Sequence, residues 1–265
     1  MPIKRLNAAL AAVLSVSLLA TAVPAEAGSM TREGFTFPAD GQMDIVVFRP
    51  DVHVGSMKVG GMDEPNAEWT EQARENIQQQ LRAQAGYLNA NLRFIDELEG
   101  ENAELLTEYR ALFETVSGAV FQHVTMGDTL KTKQLEQSYE TGGRTKTRTI
   151  NTLDWTLGPG AARLKEATGA DYAMFVFTHD AYGDAGRKVA QVLMAGLFGA
   201  YVPAGVHIGY AGLVNLETGN VVWFNTDLAM GSDPRREEGA EKRVRQLMKG
   251  FPERAEAAAA NGLAE

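Results

Sequence analysis

The residues with the most obvious capacity for chemistry are the pair His179-Asp180 and, four residues on, Asp184. Imidazole nitrogens and carboxylate oxygens both bind metal ions, so these three side chains are candidate metal ligands. They follow an apolar run, and loops at the carboxyl ends of strands often carry the sites of α/β proteins. The alternative is a polar loop with no ligand. A ligand-binding or catalytic site here would include Tyr182, with His53 and Arg49 expected nearby.

Motifs of the common catalytic centres are missing from the sequence. It has no cysteine, which excludes disulfides, thiolate nucleophiles and cysteine-based zinc sites. None of its four histidines stands in an H-E-x-x-H spacing, and there is no G-x-S-x-G. Gly142–Thr147 has the composition of a phosphate-binding loop without the Walker spacing. We therefore predict no cofactor, and we favour a non-catalytic protein over an enzyme.

Residues 1–27 have the parts of a secretory signal peptide. Lys4-Arg5 is a positive start, Leu6–Ala22 is uncharged and apolar, and Ala25 and Ala27 supply the small side chains of an A-x-A cleavage site. A membrane anchor is the alternative, but Pro24 and its small neighbours fit cleavage better. We predict cleavage after Ala27 and a location in the periplasm or cell envelope. Without a cysteine the mature chain cannot be a lipoprotein.

The chain is acidic, with a net charge of −9. Loss of the signal peptide, which carries Lys4, Arg5 and Glu26, would make the charge −10. An acidic balance argues against nucleic acid as a partner and against broad adhesion to anionic lipid.

The most unusual segment is Val189–Leu216, whose 28 residues include no Asp, Glu, Lys or Arg. Its first part, Val189–Tyr201, has the composition of an apolar helix. Such a helix is either buried against the sheet or exposed as a contact with another subunit or a membrane. If the helix is such a contact, its predicted interface residues are Val189, Leu193, Gly196, Leu197, Phe198, Gly199 and Tyr201.

Hydrophobic periodicity predicts an α/β fold, with one mixed sheet, helices packed on it, and a C-terminal β-hairpin followed by a helix. The predicted strands are 44–49, 92–95, 170–177, 208–216 and 220–226. The predicted helices are 68–85, one starting at Asn102, one ending near Thr168, and 235–249. Residues 55–65 are expected to be a glycine-rich connector.

We divide the chain into a signal peptide (1–27), a flexible lead-in (28–43), one α/β domain (44–252) and an alanine-rich tail (253–265). Within the domain, residues 127–151 are polar and lack an apolar period. They are predicted to be a loop, or a hairpin that turns at Gly142-Gly143.

Several short segments resemble a group of proteobacterial envelope proteins, and together they cover most of 44–252. They are Arg49–Val52, Val54-Gly55, Gly60-Gly61, Glu64-Pro65, Glu68–Thr70, Leu157–Ala161, Gly169–Ala173, Gly209–Leu216, Val222–Asn225 and Lys249–Pro252. The resemblance implies an envelope location and no particular activity.

The order of elements is also similar to that of the curli-export lipoprotein superfamily (CsgG-like) and of the amino-terminal domain of the TolB envelope protein. This resemblance implies a role in envelope assembly. Many members are lipoproteins, and the missing cysteine sets this chain apart.

Our interpretation is an exported, non-catalytic envelope protein that acts as an assembly or interaction module, associated with the outer membrane. Its expected partner is an envelope protein or a second copy of itself, and peripheral membrane contact is a further alternative. The competing hypothesis is a periplasmic ligand-binding protein or enzyme with its site near His179–Asp184.

Overall fold

Eight strands pair into one mixed sheet in a computed structural model, which describes residues 28–38, 43–85, 90–125, 133–198 and 205–252. The strands are β1 (Ser29–Thr31), β2 (Asp44–Phe48), β3 (Asp51–Met57), β4 (Asp63–Pro65), β5 (Asn91–Ile95), β8 (Tyr172–Gly183), β9 (Gly205–Asn215) and β10 (Val221–Asp227). A separate hairpin consists of β6 (Gln134–Thr141) and β7 (Arg144–Asn151). The helices are α1 (Ala67–Gln84), α2 (Glu101–Thr125), α3 (Ala162–Thr168), α4 (Ala185–Phe198) and α5 (Glu237–Leu247).

The long strand β8 organises the sheet because it has three neighbours. On one edge it pairs antiparallel with β9 over its whole length. On the other edge, pairing with β2 ends at Met174 and pairing with β3 begins at Phe177, and both are parallel. Pro50 lies between β2 and β3, where a residue without an N–H interrupts the ladder. The edges of the sheet are then completed by β5 beside β2, β4 beside β3, and β10 and β1 beyond β9.

Alternation along β8 sends its side chains to two cores, as strand geometry requires. Tyr172, Met174 and Val176 face α1 and α5, whereas Ala173 and Phe175 face α2 and α3. Because both faces of β8 are covered, its first half is apolar throughout. The predicted fold class, a single mixed α/β domain, is confirmed.

Helix α1 shows how the sequence specifies an element. The side chain of Asn66 accepts a hydrogen bond from the N–H of Trp69 at 2.9 Å and so caps the first turn. Ala73, Ile77 and Leu81 follow at four-residue spacing and are buried against the sheet. The predicted bounds of this helix, 68–85, agree with the structure to within one residue at each end.

Two segments differ from expectation. Residues 51–57 form β3, and 63–65 form β4, so the predicted connector at 55–65 is wrong except for the turn between them. In the predicted lead-in, β1 pairs with β10, and Phe37 is buried against Tyr172 and Phe251. The sequence pattern did not reveal β3, because its buried residues alternate with polar, exposed ones such as Asp51 and His53.

Hairpin β6–β7 turns at Gly142 and Gly143, whose φ angles of 57° and 68° suit a tight turn. Nearly all of its residues are exposed on both faces. The hairpin therefore extends away from the two cores.

Helix α4 starts directly after β8, with only Asp184 between them. Within the described ranges, no helix combines the length and the apolar composition needed to cross a bilayer.

Gly219 in the β9–β10 turn should be irreplaceable. Its φ is 74°, and an added Cβ would fall well inside contact distance of the Gly158 backbone. We expect Gly219→Ala to lower the free energy of unfolding by about 2 kcal/mol or more, from left-handed strain plus the clash. Gly118→Ala is the control, because a Cβ there meets open space on a helix and should stabilise by up to about 1 kcal/mol. Urea unfolding measures both, and equal effects would contradict the role of the turn.

Candidate functional site

The three candidate metal ligands do not form one site. Strand β8 continues to Gly183, so His179 and Asp180 belong to a strand and not to the predicted loop. Neighbours in a strand point to opposite faces, and the two side chains bind different partners. Asp184 lies beyond the strand, where it accepts a hydrogen bond from the N–H of Arg187 at 2.7 Å. Among the residues that the structure describes, no group of three or more His, Asp or Glu could hold a metal ion.

Asp180 forms the most buried polar contact of the described chain. Its two carboxylate oxygens accept hydrogen bonds from Nη1 and Nη2 of Arg243 at 3.0 and 2.8 Å. Both side chains are completely buried, with 0% exposure. His207, the register partner of Asp180 on β9, places its Nδ1 2.8 Å from Oδ1. Because a carboxylate can only accept, Nδ1 of His207 is the donor in this contact.

Arg243 reaches Asp180 from the apolar side of α5. It stands three residues after Ala240 and four before Leu247, at helical spacing within the buried stripe. Its Nη2 also donates to the carbonyl of Ser232 at 2.6 Å, which fixes the loop between β10 and α5. Arg243 was not among the predicted site residues, although a charged residue in an apolar helical stripe is a signal for a buried partner.

A second polar cluster lies just outside this pair. Tyr182 donates to Oδ1 of Asp233 at 3.1 Å, and Arg235 binds both carboxylate oxygens of Asp233. The guanidinium of Arg235 lies 4.3 Å from the ring centroids of both Trp69 and Tyr182, which is cation–π geometry.

Titration of this second cluster reflects its burial. Burial raises the pKa of Tyr182, and the nearby carboxylates of Asp180 and Asp233 act in the same direction. Burial of Asp233 would raise its pKa, but the hydrogen bonds and charge of Arg235 outweigh burial and hold the pKa below its ordinary value. A neutral tyrosine and an ionised aspartate suit a structural contact that joins β8 to the loop before α5.

His179 and His53 lie side by side on the other face of the sheet, as register partners with ring centroids 6.3 Å apart. Each is close to a separate carboxylate: Nε2 of His179 lies 3.2 Å from Asp63, and Nε2 of His53 lies 2.9 Å from Asp51. The expected proximity of His53 to His179 is thus present. Arg49 instead lies near Glu71 of α1, at 3.3 Å.

The predicted interface segment is an exposed helix where it can be described. In α4, Val189 is 60% exposed and Leu193 is 53% exposed, and Val192 between them is 71% exposed. Gly196 is also exposed, with open space around it. The alternative that this helix is buried against the sheet is wrong for 189–196. Leu197 and Phe198 form the last turn of α4, and Gly199 and Tyr201 lie outside the described residues.

Polar contacts at its base fix the direction of α4. Asp184 caps the first turn, and Nη1 of Arg187 donates to the carbonyl of Lys58 at 3.1 Å in the β3–β4 turn. The described remainder of the uncharged segment, from Gly205 onward, forms β9, whose second half is in the core. The segment therefore divides into an exposed helix and a buried strand.

The site and fold together define a mixed α/β domain with helices on both faces of one sheet. No protein-family model and no curated protein matches the chain. Among solved structures it is similar to a PelC dodecamer from Paraburkholderia phytofirmans, at 9% identity and TM-score 0.31, covering 83% of this chain and 97% of that one. It is also similar to lipoprotein GNA1162 from Neisseria meningitidis, at 10% identity and TM-score 0.29, covering 86% and 98%.

A third similar structure is the LpoB C-terminal domain from Salmonella enterica, at 12% identity and TM-score 0.26, covering 74% of this chain and 85% of that one. All three are distant likenesses of fold. They do not bear on what this chain binds.

Asp180→Asn should be strongly destabilising, because it leaves the charge of Arg243 buried without a counter-charge. We expect a loss of about 3–5 kcal/mol in the free energy of unfolding. The control is Glu241→Gln, in the exposed pair with Arg245 on α5, with an expected loss of about 1 kcal/mol or less. An apolar double replacement, Asp180→Leu with Arg243→Met, should recover most of the loss. Comparable losses for the two single variants in urea unfolding would contradict this account.

Proposed function

We propose that this protein is an exported, non-catalytic assembly module of the cell envelope, and that it packs through α4 against a second copy of itself. The observation that carries the proposal is the exposed apolar surface of α4, formed by Val189, Val192, Leu193 and Met194. We call it the α4 surface. Contiguous apolar side chains on the outside of a domain indicate a contact site.

The α4 surface is costly to leave in water. Burial of one Val, Leu or Met side chain stabilises by roughly 1.5–3 kcal/mol relative to exposure. The positions 189, 192 and 193 are three and four residues apart, so their side chains share one helical face. A partner that covers this face gains from several such side chains at once.

A protein partner fits the α4 surface better than a lipid surface. Helices that lie on membranes carry many Lys and Arg on their polar face. Here only Arg187 and Lys188 are basic, both at the start of the helix, and Arg187 is bound to the β3–β4 turn. The net charge of −9 also opposes adhesion to anionic lipid.

A second copy is the partner that the charge pattern favours. Copies of a chain with net charge −9 repel each other wherever charged surfaces meet. Residues 189–198 carry no charge, so two α4 helices can approach without that repulsion. A two-fold contact between identical patches is also the most common oligomer geometry.

Val192→Glu should abolish self-association and leave the fold intact, because this side chain is 71% exposed. We expect the exported wild-type protein to be dimeric or larger in sedimentation velocity and light scattering, and the variant to be monomeric. Leu112→Glu is the matched control, since Leu112 is 38% exposed on α2, and it should leave the oligomer unchanged. A wild-type protein that stays monomeric at millimolar concentration would overturn the homo-oligomeric proposal.

The proposed location depends on the predicted signal peptide, which lies outside the described residues. Ala27→Tyr should block cleavage because the peptidase pocket admits only a small side chain at that position. We expect wild-type protein in the periplasmic or envelope fraction with Gly28 as its first residue, and a longer precursor for the variant. Intact mass measurement of each fraction tests this, and uncleaved wild-type protein in the cytoplasm would contradict it.

A further inference from the structure

A cavity of about 320 Å³ opens on the α2 side of the sheet, where β8 changes neighbours from β2 to β3. The interruption at Arg49 and Pro50 leaves this gap between the two pairings, and Arg110 and Phe113 of α2 also line it. The volume is in the range of small-molecule sites. Nothing in the proposed assembly function uses this cavity.

One wall of the cavity is aromatic. The rings of Phe113 and Phe175 are stacked with centroids 4.4 Å apart, and those of Phe177 and Tyr210 are stacked at 4.8 Å. All four residues line the cavity. Flat, ordered rings of this kind offer a surface on which another ring or an aliphatic group can pack.

The other wall is cationic. Arg49, Arg74 and Arg110 line it, in a protein whose net charge is −9. Arg49 and Arg74 both lie against the carboxylate of Glu71. The two acidic residues of the lining are Asp51, which is bound to His53, and Glu114 on α2.

Arg110 differs from the other two arginines because it has no carboxylate partner within ion-pair distance among the described residues. Its Nη2 donates to the backbone carbonyl of Asp96 at 3.0 Å. Burial lowers the pKa of Arg110 and the charge of Arg49 acts in the same direction, whereas the carboxylates of Asp51, Glu97 and Asp96 oppose the shift without outweighing it. A half-buried guanidinium with unused donors beside a cavity is stabilised by an anion that enters it.

We propose that this cavity binds a small organic carboxylate whose body is aromatic or aliphatic. The carboxylate oxygens accept hydrogen bonds from Arg110 and Arg49, and the apolar body packs on the wall formed by Phe113, Phe175, Phe177 and Tyr210. Since water occupies about 30 Å³ per molecule, the cavity holds roughly ten water-sized groups. A single ring with a short acid side chain matches that size.

Phenylacetate is the probe, measured by calorimetry and by ligand-observed NMR on the exported protein. Phenethylamine carries a similar ring with the opposite charge, and acetate carries the carboxylate without the ring. We expect phenylacetate to bind, and both comparison compounds to bind at least about 10-fold more weakly, because each lacks one of the two contacts. No phenylacetate binding at millimolar concentration, or equal binding of phenethylamine, would overturn the proposal.

Arg110→Gln should weaken phenylacetate binding by roughly 10- to 100-fold, the range for one hydrogen bond to a charged group. Arg49→Gln is a second variant, and its side chain is 37% exposed, so the fold should tolerate the change. Arg148→Gln on the exposed hairpin is the control and should bind as wild type does. Unchanged affinity in both Arg110→Gln and Arg49→Gln would place the probe elsewhere and overturn the assignment.

The outcome is independent of self-association. Val192→Glu should bind phenylacetate as the wild-type protein does, and Arg110→Gln should keep the wild-type oligomeric state. Failure of one proposal is therefore distinguishable from failure of the other.

Discussion

The buried ion pair of Asp180 and Arg243 is the constraint on which the arrangement of this domain depends. Taking both charges out of water costs several kcal/mol for each ion, and the cost is offset only when the geometry and the remaining hydrogen bonds are good. Both carboxylate oxygens are used, and Arg243 also reaches the carbonyl of Ser232, although its Nε is buried without a hydrogen-bond partner among the described residues. The position of α5 on the sheet is therefore fixed to within hydrogen-bond tolerance. The side chain of Asn225 adds to this by donating to the last carbonyls of α5.

Strand β8 transmits that constraint to the rest of the molecule. Asp180 lies in its second half, and the same strand supplies Phe175 and Phe177 to the cavity and leads directly into α4. Strand β8 is paired on both edges and is bound to α5 through Asp180. Because this strand supplies part of the cavity wall and leads into α4, it positions both features. Rigid strands position sites more precisely than loops do. The cavity and the α4 surface are thus separate features that are both positioned by β8.

Local patterns in the sequence predicted most of the fold, since the apolar strands and the amphipathic α1 and α5 follow simple periods. The second half of β8 was missed because His179 and Asp180 interrupt the apolar run, and only the pairing with β3 and β9 shows that the strand continues. The partner of Arg243 is 63 residues away, which no local pattern reveals. The cavity arises where strand pairing is interrupted at Pro50. It also requires that β8 changes partner from β2 to β3 opposite this residue, which the local sequence does not show. The apolar composition of Val189–Tyr201 predicted a helix, but that composition is equally consistent with burial and with contact.

The contact role that we propose for α4 draws on how the helix is attached to the domain. A helix that was only loosely attached would lower its free energy by folding its apolar face onto the sheet. Instead, its first turn is capped by Asp184, and Arg187 is bound to the β3–β4 turn, so polar contacts set the direction of the helix before its apolar face begins. The two cores are formed with α1, α5, α2 and α3, and neither core includes a described side chain of α4. A helix whose direction is already set by such contacts loses less conformational entropy when a partner binds, and this is the pre-organisation that the proposed assembly role calls for.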